Sequence, residues 1–71
     1  MKAYDVELQW LLEDARGDVR SIVIRGRVRG AAVSEFGAVD DAGRPIAFPA
    51  AHLDEAHRDL VDAARELWRA P

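Results

Sequence analysis

From Tyr4 to Leu12 every even-numbered residue is apolar (Tyr4, Val6, Leu8, Trp10, Leu12), whereas Asp5, Glu7, Gln9 and Glu13 hold odd positions. Side chains on a pleated strand point to alternate faces, so this period of two predicts a half-buried β-strand. The next apolar run, 22–28, can be registered against it. Between them, Asp14-Ala15-Arg16-Gly17-Asp18 reads as a type I turn closed by a left-handed glycine. That turn sets Asp14 opposite Asp18, so partner numbers on the two strands sum to 32. Trp10 then faces Ile22, Leu8 faces Ile24, Val6 faces Gly26 and Tyr4 faces Val28, all on the core side. On the other side Glu7 faces Arg25 and Asp5 faces Arg27. A slip of one residue would drive the arginines into the core, which makes this register self-consistent.

Asp41-Ala42-Gly43 repeats the same turn chemistry and sets Asp40 opposite Arg44. Ala38 is then expected to meet Ile46, and Phe36 to meet Phe48, on one face of a second hairpin. Pro45 lacks a backbone N–H, which assigns the last strand to an edge. Gly30-Ala31-Ala32 joins the hairpins, and Gly26 and Gly30 mark candidate bends or bulges in the second strand.

From about Pro49 the period changes. Leu53, Ala56, Leu60, Ala63, Ala64 and Leu67 recur at helical spacing, and Val61 and Trp68 widen the stripe to an arc of roughly 160°. Pro49 suits a first-turn position, Asp54 and Glu55 favour the positive end of the helix dipole, and Arg65 and Arg69 complement the other end. Asp54 and Glu55 with Arg58, and Asp62 with Arg65, stand at ion-pair spacing. The pattern predicts an α+β fold with ββββα order: two β-hairpins forming a small antiparallel sheet, and one C-terminal amphipathic helix on one face. A single domain is expected over 1–71, with the sheet in 3–48 and the helix in 50–70. The expected core is Tyr4, Val6, Leu8, Trp10, Ile22, Ile24, Val28, Phe36, Ile46, Phe48, Leu53, Leu60 and Leu67.

Seventy-one residues suffice for one domain. A chain this short buries only about 60% of the surface it exposes when unfolded, and small domains compensate with disulfides, a metal or a second copy. There is no cysteine. His52 and His57 are five apart, about 140° around a helix, too far to share one ion by the usual helical ligand spacing. Gly26-x-x-x-Gly30 lacks the lysine and the strand-to-helix setting of a phosphate loop. No metal and no cofactor are therefore expected, and self-association remains. The net charge of −3 argues only for solubility. No apolar run approaches the ~18 residues of a membrane span, and Lys2 leads directly into the strand, so neither membrane nor signal peptide is expected. A cytoplasmic protein is the expectation.

Three constellations carry candidate function. Arg25, Arg27 and Arg29 share one face of a strand and, with Arg20, form a candidate nucleic-acid contact, since such affinity rests on clustered cations. The register instead pairs Arg25 with Glu7 and Arg27 with Asp5 as a cross-strand charge ladder, and no aromatic is interleaved as a stacking platform. Nine of the ten basic residues are arginine, while threonine and asparagine are absent, which reads as the codon bias of a GC-rich genome. His57 falls inside the apolar helical arc. As a base it would need a nucleophile; the hydroxyl candidates are Ser21, Ser34 and Tyr4, and the register places Ser21 on the opposite side of the sheet. Val61 and Trp68 lie at the margin of the helical stripe, where they either finish the core or form a dimer contact. A free sheet edge offers strand pairing as a second contact.

The opening Tyr4-Asp5-Val6-Glu7-Leu8, the Asp40-Asp41-Ala42-Gly43-Arg44-Pro45-Ile46 turn and a closing helix rich in Glu, Ala and Arg resemble small phage or prophage-encoded proteins of unknown role. That resemblance spans most of the chain and implies a strand-rich domain with a C-terminal helix, and no particular activity. The sequence thus points to a non-enzymatic protein-interaction or assembly module, expected to be homodimeric or to bind another protein. A nucleic-acid-binding accessory protein is the alternative.

Overall fold

The structure is a computed structural model and describes residues 2–69. Three strands, β1 (Ala3–Glu13), β2 (Val19–Arg29) and β3 (Ala32–Val39), form an antiparallel sheet in the order β1-β2-β3. A short 3₁₀ turn, Ala50–His52, leads into helix α1 (Leu53–Arg69), which packs across one face of all three strands. The fold is therefore α+β. The expected last helical residue, Ala70, lies outside the described residues.

The β1–β2 ladder follows the register dictated by its turn, from Ala3 opposite Arg29 to Glu13 opposite Val19. Within the turn Asp14 N–H donates to the Asp18 carbonyl at 2.9 Å, and Gly17 N–H donates to the Asp14 carbonyl at 3.0 Å. Asp14 Oδ1 accepts from the N–H groups of Arg16 and Asp18 at 2.9 and 3.0 Å. Gly17 sits at φ 84°, where a side chain would be strained. The carboxylate and the glycine together fix the loop, and the loop fixes which face of each strand is apolar.

The second acid-alanine-glycine turn forms with the same bonds. Asp40 N–H donates to the Arg44 carbonyl, Gly43 N–H to the Asp40 carbonyl, and Asp40 Oδ1 accepts from Ala42 and Arg44. The expected fourth strand nevertheless does not form, and the two-hairpin ββββα order is corrected to a three-stranded meander followed by the helix. After the turn only Pro45 bridges to Val39, and Ile46 N–H donates to the Ala38 carbonyl at 3.0 Å. Pro45 cannot donate to a ladder, and four residues later Pro49 starts the helical turn. The intervening Phe48 turns inward, with its ring centroid 5.2 Å from Phe36 and 5.3 Å from Trp10.

A bulge bends the sheet. Arg25 pairs with Gly37 and Arg27 with Ser34, so Glu35 and Phe36 of β3 together oppose Gly26 of β2. The extra residue lies in β3, where Glu35 adopts φ 54°, a left-handed conformation uncommon for any residue with a Cβ. Gly26 accommodates the kink from the other side. A Cβ there would stand 2.8 Å from Val33 Cγ1 and 3.2 Å from Leu60 Cδ1. Gly30 is not a bulge residue; it leads the two-residue turn between β2 and β3 at φ 60°.

Ile22, Ile24, Val28 and Leu60 are fully buried, joined by Val6, Leu12, Ala38, Ala56, Val61 and Ala64. Tyr4, Leu8, Trp10, Phe36, Ile46 and Phe48 pack against them half-buried, and Leu53 is half-buried as well. Leu67 departs from the expected core and is 52% exposed. Its angular position is right, but burial along α1 stops at Ala64 and every residue from Arg65 to Arg69 is exposed. The last turn of the helix stands clear of the sheet. Of the spaced ion pairs expected on the helix, Asp62 with Arg65 forms at 3.7 Å. At the opposite end Trp10 Nε1 donates to Asp59 Oδ2 at 2.7 Å, a charge-assisted bond tying β1 to α1. Asp59 thus belongs to the helix–sheet joint. Among the described residues, no helix is long and apolar enough to cross a membrane.

Candidate functional site

The sheet has one face under α1 and one open to solvent, and the open face is divided along its length. Its first half is charged. Asp5 Oδ1 accepts from Arg27 Nε at 3.1 Å, and Glu35 Oε2 approaches the same nitrogen at 3.9 Å. Hydrogen bonding to Asp5, then its charge and that of Glu35, raise the Arg27 pKa above its ordinary value. Arg25 lies beside Glu7 in register, and these side chains border a shallow depression of about 480 Å³ with Gly26 in its wall. Arg29 ends the stripe opposite Ala3. Arg20 is not part of it. It pairs with Leu12 and so projects from the helix side of the sheet, as the parity of the register requires. The stripe is therefore three arginines interleaved with three carboxylates, an arrangement of mixed sign.

The second half of the open face sets Leu11, Val19, Val23 and Val39 among Gln9, Glu13 and Ser21. Leu11 is 71% exposed and Val19 58% exposed. Leu11 sits opposite Ser21, which makes Val19 and Val23 its diagonal neighbours, and Val23 pairs directly with Val39. Leu11, Val19, Val23 and Val39 thus form a patch crossing all three strands next to the free edge of β1. No candidate residue named from the sequence belongs to it. The signal was the Leu11-Leu12 doublet, which interrupts the alternation: if Leu12 is inside, Leu11 must be outside.

A third site lies under the raised end of the helix. Trp68 is 71% exposed and forms one wall of a groove of about 580 Å³. Lys2, Tyr4, Val28, Ala64, Arg65 and the Gly30-Ala31 turn complete its lining. The Lys2 ammonium is 5.6 Å from the centroid of the Tyr4 ring. Val61, paired with Trp68 as a candidate interface residue from the sequence, is only 8% exposed and completes the core instead. The helix buries Leu60, Val61 and Ala64 together, so Val61 falls inside the contact zone while Trp68, one turn past it, falls outside.

The histidines pack among aromatic rings. The His57 ring lies 5.0 Å from Phe36 and the His52 ring 6.3 Å from Trp10. Among the described residues the buried Nε2 of His57 has no hydrogen-bond partner. Ser21 and Ser34 lie on the open face of the sheet, and the histidines lie on the covered one. No three His, Asp or Glu side chains converge on a point able to hold a metal ion among the described residues. Comparison of the chain with family models, curated proteins and solved structures found no match to any of them.

Proposed function

We propose that this chain is a non-enzymatic assembly module that pairs with a second copy of itself through the apolar patch of the open sheet face. The observation carrying this reading is the Leu11–Val19–Val23–Val39 patch, which crosses all three strands with no described element folded over it, Leu11 and Val19 exposed and Val23 and Val39 half-buried. The separation of serines from histidines by the sheet supports a binding role over a catalytic one. The mixed charge of the arginine stripe favours the cross-strand ladder over a phosphate-tracking ridge.

A two-fold contact would bring the same patch from each copy together. Full burial of a leucine or valine side chain is worth roughly 1.5–3 kcal/mol, and more than half of each remains to be buried in Leu11 and Val19. Leu11 and Val19 from the two copies together supply roughly 4–8 kcal/mol, against an association cost of about 4–15 kcal/mol. The patch alone accordingly supports a Kd of about a millimolar at best, unless the adjoining β1 edge adds backbone hydrogen bonds. Light scattering over a dilution series tests it. The wild-type chain should move from twice 7.9 kDa toward 7.9 kDa on dilution, and Leu11→Asp should be a folded monomer throughout. A wild-type monomer at millimolar concentration, or a Leu11→Asp dimer, overturns the proposal. Loss of the dimer in Trp68→Ala with its retention in Leu11→Asp would move the interface to the helix end.

A further inference from the structure

We propose that the groove under the end of α1 is a binding site for a small aromatic carboxylate, independent of the self-association surface. The groove exists because burial along the helix ends at Ala64 while the helix continues to Arg69, so its last turn roofs a space it does not fill. The volume, about 580 Å³, lies within the 300–1,000 Å³ range typical of small-molecule sites. Its lining has the composition such sites use: an apolar floor, aromatic walls and a few polar groups.

The charge of the lining selects the ligand. Among the described residues, Lys2 and Arg65 are its charged groups and none of its lining side chains is a carboxylate, although acids outnumber bases 13 to 10 in the chain. Tyr4 and Trp68 add a hydroxyl and an indole N–H. Each polar side chain of the described lining can donate a hydrogen bond, and one negative charge would meet two cations. Arg65 is available because its ion pair with Asp62 is long, 3.7 Å, and exposed. The Lys2 ammonium already stands at the face of the Tyr4 ring, so an anion bound to it is brought beside an aromatic surface. The two aromatic side chains of the lining favour a flat body over an alkyl chain, because offset stacking adds to the area buried. An aromatic carboxylate satisfies both requirements at once.

The test is a titration with 2-naphthoate followed by NMR, with 2-naphthamide as its neutral counterpart. A probe with so few atoms is expected to bind at ~1 mM. Its shifts should fall on the Trp68 indole, Tyr4 and the Gly30-Ala31 turn and spare the Trp10 indole. Lys2→Gln and Arg65→Gln should each weaken binding about fivefold, the size of an exposed ion pair, and the amide should bind at least about tenfold less tightly. Trp68→Ala, at an exposed position, should abolish binding while leaving the fold intact. Leu11→Asp should bind the probe as the wild type does, which separates failure of this site from failure of the assembly reading. Equal binding of acid and amide overturns the proposal, as do shifts centred on the open sheet face, loss of binding in Leu11→Asp, or no saturable shift at several millimolar.

Discussion

Gly26→Ala is the sharpest probe of how the bulge and the helix fit together. Gly26 opposes the two-residue bulge of β3, and its φ lies outside the left-handed region, so the substitution acts through space rather than through backbone strain. The added methyl would sit 2.8 Å from Val33 Cγ1, closer than carbon atoms pack, and 3.2 Å from Leu60 Cδ1. Neither neighbour gives way freely. Val33 is β-branched and has few rotamers, and Leu60 is fully buried at the centre of the helix contact. Overpacking of this kind costs about 1–3 kcal/mol. In a domain of this size that lowers Tm by roughly 5–20 °C. Thermal and urea unfolding should be compared at one protomer concentration, because self-association makes Tm concentration-dependent. Val33→Ala in the Gly26→Ala background removes the closer clash, so a double-mutant cycle should show favourable coupling of at least ~0.5 kcal/mol. A Gly26→Ala cost below about 0.5 kcal/mol, or strict additivity with Val33→Ala, would refute the claim that Gly26 is required by close approach.

Two further substitutions examine the aromatic end of the core. Asp59→Ala leaves the half-buried Trp10 indole N–H without its acceptor and should cost about 1–3 kcal/mol in urea unfolding, with Asp59→Asn recovering part of the loss. Unchanged stability in Asp59→Ala would mean that the bond does not hold the helix to the sheet. His57→Leu replaces a ring whose buried Nε2 has no partner among the described residues, and should raise stability by about 1 kcal/mol; a decrease would show that the imidazole is satisfied.

The first hairpin was legible in full because two independent signals agree. The turn chemistry at Asp14 and Gly17 fixes the register, and the alternation in β1 accepts only that register. The second turn was equally legible, bond for bond, yet the strand after it was not. Turn chemistry specifies how the chain reverses, whereas the length of the returning strand depends on where the chain must leave the sheet to begin α1. Pro45 and Pro49 shorten that passage to one bridge. The bulge has no local signature, because Glu35 has no preference for positive φ and is held there by its neighbours. The helical wheel placed Leu67 at the correct angle, but a wheel carries no information on how far the sheet extends beneath the helix. Arg20 and Leu11 are a different matter. Their faces follow from the parity of the register alone.

The architecture itself explains why surface is left over. Strands lie about 4.8 Å apart, so three of them span about the 10 Å width of one helix, which can therefore cover one face and no more. The other face must be polar or find a partner. Here charged pairs occupy the half around Asp5, Arg27 and Glu35, and the half near the first turn exposes Leu11 and Val19 among Gln9, Glu13 and Ser21. A uniformly solvated face would need no such division. The helix groove lies at the other end of the sheet and on its other face, beside Tyr4 and the Gly30-Ala31 turn. A partner on Leu11 and a ligand beside Trp68 would therefore not compete for space. The same 71 residues can carry both without a second domain.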